Sequence, residues 1–168
     1  MEEKKQNTDS RIKRIGGYLH KAVPVMDSAG KVLSYAFTPL MVEFRPRDLM
    51  QVLVGASILA VPVAFTEETW NLGKELPLLN VALLSGLSIF FILLFVYFNF
   101  YRFQLRSHFL EYVKRAAATY LLSLIVVSII LTIIQRCPWQ ADFTLALKRT
   151  LIVAFPASMS AAVSDTLK

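Results

Sequence analysis

The sequence has a single cysteine, Cys137, and only two histidines, His20 and His108. One cysteine excludes an intramolecular disulfide and leaves a free thiol or a bond to another chain. The histidines lie far apart, one in the basic N-terminal stretch and one in a charged connection, so neither belongs to a metal-ligand cluster. His108, between Arg106 and Glu111, reads as a solvated loop residue. There is no phosphate loop, no dinucleotide glycine pattern and no HExxH helix. No serine has a histidine at a spacing that suggests a nucleophile and its base. The expectation is a protein that is not an enzyme and that carries no metal and no cofactor. The first 48 residues also lack the short apolar core of a cleavable signal peptide, so the first membrane span is expected to be its own insertion signal.

Apolar residues, by contrast, are abundant and come in long blocks. They make up 55% of 168 residues, which is the composition of a membrane protein. The net charge of +6 could suggest nucleic acid, but its placement argues otherwise. Of 18 Lys and Arg, nine lie in residues 1–48 and four in Arg102–Arg115. These positions flank expected spans, so they are orientation signals and no nucleic-acid partner is expected. With both termini in the cytoplasm, the inner side carries fourteen Lys/Arg and the outer side four: Lys74, Arg136, Lys148 and Arg149. That bias places the chain in the cytoplasmic (inner) membrane as a multi-pass protein.

The fold class expected is all-α: four transmembrane helices behind a small cytosolic segment, residues 1–47, that contains a β-hairpin. Residues 1–14 are charged and without an apolar face, which predicts a frayed start. Two apolar runs within Ala22–Phe37 flank Asp27-Ser28-Ala29-Gly30, whose turn chemistry predicts the hairpin over 22–37. Phe37–Phe44 could add a third extended piece, with Pro39 confining it to an edge. Arg45-Pro46-Arg47-Asp48 is the elbow into the membrane domain, residues 48–168. Its spans are expected at 49–67, 76–101, 116–135 and 144–165. The first has eighteen uncharged residues between Asp48 and Glu67, enough to cross roughly 30 Å of hydrocarbon. A short connection carries Trp70 at interfacial depth, and the second span ends in an aromatic belt, Tyr97–Tyr101. The fourth is the weakest, because Lys148 and Arg149 interrupt its start and must snorkel toward the surface. No internal repeat is evident.

Three features bear on function. Ala56, Ala60, Ala64 and Glu68 share a helical face if the first helix runs through them, and Ala154, Ser158 and Ala162 share another. Close-packing faces on the first and fourth spans predict contact with each other or with a neighbouring subunit. Pro62 and Pro156 kink these helices and free the carbonyls of Ile58 and Ile152. Glu67 and Glu68 close the first span. They are solvated, or paired with Lys148 or Arg149, or they form the outer mouth of a cation path. On that last reading the chain is a homo-oligomeric channel or transporter for small cations in the lipid bilayer. The pore would run between subunits and be lined by Glu67, Glu68, Thr66, Ser57 and Ser158. The alternative is a non-conducting scaffold or sensor acting through its N-terminal segment.

At Pro62–Trp70 (PVAFTEETW) and Ala154–Ala162 (AFPASMSAA) the chain resembles an uncharacterised prokaryotic family of integral membrane proteins. That family's pattern places an Arg before a Gly-containing span ending in Pro, an aromatic, Thr, an acid and Trp, with Pro-Ala-Ser near the C-terminus. Arg47, Gly55, Pro62, Phe65, Thr66, Glu68 and Trp70 match the first part, and Pro156, Ala157 and Ser158 the second. The resemblance implies a membrane protein and carries no activity with it.

Overall fold

The computed structural model describes residues 12–15, 18–27, 31–39, 44–102 and 108–167. The chain divides into two units, Met1–Glu43 and Phe44–Lys168. The membrane unit thus begins at Phe44, four residues earlier than expected, because Phe44 and Arg45 belong with the first helix.

The first unit is a three-stranded antiparallel sheet, β1 (Ile12–Ile15), β2 (Tyr18–Met26) and β3 (Val32–Pro39), in the order β1-β2-β3. The β2–β3 pairing sets Ala22 opposite Phe37 and Pro24 opposite Tyr35. The Asp27 amide donates to the Lys31 carbonyl (2.9 Å) across the turn, whose residues 28–30 lie outside the described set. The hairpin is longer than its apolar runs suggest, and β1 occupies residues expected to be frayed. Backbone pairing with β2 orders this charged segment without requiring an apolar face. Phe37–Pro39 finish β3 at a sheet edge, where a proline is tolerated. The rest of the expected third piece, 40–43, lies outside the described residues.

In the second unit, four helices are long and apolar enough to cross a membrane: α1 (Pro46–Ala64), α3 (Leu78–Val96, continued to Tyr101 by a π-helical turn), α4 (Phe109–Ile133) and α5 (Phe143–Thr166). Between the first two lies α2, Glu67–Glu75, where a short connection was expected. Pro46 at the start of α1 costs no hydrogen bond, since its amide position has no partner there. Pro62 and Pro156 lie inside α1 and α5, which continue through them.

The first span ends at Ala64 and not at residue 67. The Val63 carbonyl accepts from both the amide (3.2 Å) and the hydroxyl (2.8 Å) of Thr66, which closes α1. Thr66 then takes the extended conformation that starts α2, and Glu67 and Glu68 fall in its first turn, where negative charge suits a helix N-terminus. Glu68 therefore does not continue the Ala56-Ala60-Ala64 face.

That face packs on α5. Ala56, Ala60, Ala64, Ala154, Ala157 and Ala161 are all fully buried. In lipid there is no hydrophobic gain from bringing helices together, so close approach of small residues supplies the packing energy instead. Gly55 marks the tightest point: a Cβ there would fall on Ser164 Cβ. The contact expected between the first and fourth spans is therefore made within one chain. α5 also packs against α2, α3 and α4, which makes it the central helix of the unit.

Two further expectations are corrected. The third span starts at Phe109 and not at 116, so Lys114 and Arg115 lie inside a helix and not in a loop. Lys114 pairs with Glu111 (3.0 Å), while Arg115 is neutralised within the bundle. The aromatic tail of α3 is also not a plain interfacial belt, because Tyr101 is fully buried.

Candidate functional site

Within one chain the residues expected to line a cation path between subunits do not come together. Thr66, Glu67 and Glu68 are exposed at the start of α2. Thr66 Oγ1 is engaged with the Val63 carbonyl and with Thr69 Oγ1 (2.7 Å). Among the described residues neither Glu67 nor Glu68 makes an ion pair with Lys148, Arg149 or any other cation. Ser57 is half-buried and donates to the Leu53 carbonyl of its own helix (2.9 Å). Ser158 is buried and bonded to Ser88 Oγ of α3 (2.6 Å). Pro62 is exposed and Pro156 half-buried.

What the structure does assemble is an ion cluster around Arg115. This side chain is completely buried. Its Nε and Nη2 donate to the Asp165 carboxylate at 2.7 and 2.9 Å, a two-bonded fork that matches guanidinium to carboxylate. Nη2 also reaches Asp48 Oδ2 at 3.3 Å, and that same oxygen accepts from the Arg45 amide at 3.0 Å. The Phe100 ring lies 3.7 Å from the guanidinium carbon and the Phe44 ring 5.7 Å. The start of α1, the interior of α4 and the end of α5 thus converge on one cation.

The π-helical turn, Tyr97–Tyr101, explains how α3 joins them. Widening the helix there sets Phe100 over the guanidinium while its neighbour Tyr101 packs edge-on against Tyr112 (5.4 Å). Tyr112 in turn donates to the Leu93 carbonyl (3.0 Å) one turn earlier on α3.

A charge this deep is tolerable only when paired and hydrogen-bonded. Above it, Thr119, Ser123, Val127 and Leu131 continue the same fully buried face of α4. The hydroxyls do not form a wire. Thr119 donates to the Arg115 carbonyl (3.0 Å) and Ser123 to that of Thr119 (2.8 Å), so each is satisfied within its own helix.

At the other end of the bundle Arg149, which with Lys148 was expected to snorkel toward the surface, behaves differently. Arg149 is buried. It donates to the Arg136 carbonyl (2.6 Å) and, through Nε and Nη2, to the Trp70 carbonyl (3.3 and 3.2 Å). The alkyl stem passes over Gly73, where a Cβ would meet it at 2.5 Å. Arg136 stacks on the Trp70 ring at 3.7 Å, and Trp70 Nε1 donates to the Ala64 carbonyl (2.8 Å). These contacts stitch α2, the α4–α5 connection and α5 together. Cys137 lies in the same corner, buried against Ala146 and Thr150 (3.6 Å each). Burial pushes its thiol pKa up, with the Thr150 hydrogen bond and the Arg149 charge opposing. Only 7% of this residue is exposed.

The Arg115 cluster was within reach of the sequence. Arg115 shares the i, i+4 stripe with Thr119, Ser123, Val127 and Leu131. Asp48 and Asp165 flank the two spans whose small-residue faces are expected to touch. Counting Arg115 as an orientation charge in a loop concealed the connection.

Among the described residues no group of three or more His, Cys, Asp or Glu could hold a metal ion. No curated protein and no solved structure matches the chain. A family described as putative integral membrane protein (DUF2391) does match, over residues 31–166, which takes in the hairpin's second strand and all four long helices. The chain belongs to that membrane-protein family.

Proposed function

We propose that this protein is a non-enzymatic membrane scaffold or sensor, a sealed four-helix unit that holds its small β unit at the cytosolic face of the inner membrane. Both termini lie on that side, as the distribution of Lys and Arg favours. The observation that carries this reading is the seam between α1 and α5. The face on which a path toward Glu68 was expected is filled by fully buried alanines, and α1 ends before Glu68. The charges buried beside that seam are engaged as well, Arg115 with two carboxylates and Arg149 with two carbonyls. The full chain reconstituted in vesicles loaded with a cation-sensitive dye should leak no faster than protein-free vesicles. A cation flux that drops on Glu68→Gln would contradict the proposal.

That contrary result belongs to a second reading, a homo-oligomer passing small cations between copies with Glu68, helped by Glu67, at the outer mouth. One observation favours it: both carboxylates are exposed and lack an ion pair among the described residues. Commitment of Ser158 to Ser88 removes one of the hydroxyls that would line such a path.

A further inference from the structure

Helices α3 and α5 leave an apolar groove along their seam. At the Ser88–Ser158 hydrogen bond the two helices are close, because both side chains there are small. From that point toward Tyr101 the facing side chains grow. Phe91, Leu94 and Phe95 share a face of α3 at i, i+3 and i+4, and Phe98, in the π-helical turn, continues it. Phe155, Met159, Ala162 and Val163 face them from α5. Buried Ala162 forms the floor, and the two walls enclose about 500 Å3. On the rim Phe91, Leu94, Phe98 and Val163 are 38%, 44%, 56% and 49% exposed, so the groove opens sideways, away from the bundle.

We infer that this groove holds an acyl chain of a membrane phospholipid, with the headgroup at the Tyr101 end. Both walls belong to helices long and apolar enough to cross a membrane, so hydrocarbon and not water surrounds the opening. Among the described residues every side chain that lines it is apolar, so water inside would lack partners. A second copy of the chain fits poorly. Helices that associate in lipid meet through small side chains, and only Ala162 is small here. Phe91, Phe95, Phe98 and Phe155 would hold a neighbouring helix off, whereas a slender, flexible chain can lie between their rings. The dimensions agree. The volume falls within the range of sites that hold small organic molecules. From Phe91 to Phe98 the wall runs about 10 Å, most of the depth of one leaflet's hydrocarbon. Exposed Arg102 follows one turn past Phe98, at the place of the lipid's phosphate. On the orientation proposed above this is the cytoplasmic leaflet, but the groove depends neither on that orientation nor on the scaffold reading.

The test uses the full chain in phospholipid vesicles that include a phospholipid with a photoreactive diazirine midway along one acyl chain. After illumination the adducts are mapped by mass spectrometry. Val54 and Leu121 are the reference positions. Like Met159 they stand six residues from a member of the ion cluster, Asp48, Arg115 and Asp165 respectively, so all three lie at a similar depth. Val54 and Leu121 are exposed, while Phe95 and Met159 are half-buried. Adducts should nevertheless concentrate on Phe95 and Met159. Adducts distributed in proportion to exposure would make the groove ordinary lipid-facing surface and overturn the inference. So would an unlabelled groove, which is the outcome expected if a second copy covers it. This comparison is made in the unaltered chain and needs no variant to fold. Val163→Trp then plugs the groove from its exposed rim. It should strip the adducts from Phe95 and Met159 and leave those on Val54 and Leu121 unchanged, with the helical circular dichroism preserved. Undiminished labelling of Phe95 and Met159 in that folded variant would also overturn the inference. Cation flux is a separate readout, and none of these outcomes alters it.

Discussion

Helices α3 and α5 are both long enough to span the membrane, yet they are built on opposite plans. α3 is the most continuous apolar run in the chain, and only 22% of its membrane-spanning stretch is buried in the protein. Leu79, Leu83 and Phe90 point outward. α5 carries Lys148, Arg149, several alanines and three serines, and 56% of its membrane-spanning stretch is buried. Hydropathy in a membrane protein therefore measures exposure to lipid more than depth in the core. The interior position goes to the helix whose side chains are small enough for close approach and whose polar groups find partners. The span that looks weakest is weak because it is the centre.

The contrast should break most completely at the ion cluster. Asp165→Ala removes the two-bonded partner of Arg115, leaving the longer contact to Asp48 to balance the buried guanidinium. Stranding a buried charge costs about 3–5 kcal/mol. Unfolding in detergent should show a loss of that order, and a loss below about 1 kcal/mol would mean that the cluster does not hold the bundle. A smaller effect is expected at the seam. Gly55→Ala forces a methyl onto Ser164, an overpacking that costs about 1–3 kcal/mol. Adding Ser164→Gly should restore most of the stability, whereas simple additivity of the two changes would place the strain elsewhere. The smallest effect belongs to α3. Leu83, 64% exposed, should tolerate replacement by Ala within about 0.5 kcal/mol, and a larger loss would show that this face is covered by something other than lipid.

Local composition revealed the spans and the small-residue faces of α1 and α5, because each is a property of one short stretch. The Arg115 cluster escaped because it joins residues 50 and 67 positions apart, and a cation near a span end is ordinarily an orientation charge. Glu68 was misplaced for a different reason. Helical spacing was extended through Thr66, whose hydroxyl and amide both cap the Val63 carbonyl and end the helix there. Arg149 shows the same limit: it anchors on the carbonyls of Trp70 and Arg136, partners that no pattern of side chains can announce.

The dry centre of the bundle is most directly tested by single cysteines at Ala154, Ala157 and Ala161 in the full chain carrying Cys137→Ser. A small, water-soluble thiol reagent applied from either side of the membrane should leave all three unmodified, while a cysteine replacing exposed Phe65 reacts. Modification of two or more of the three would reveal water along α5 and contradict the sealed unit.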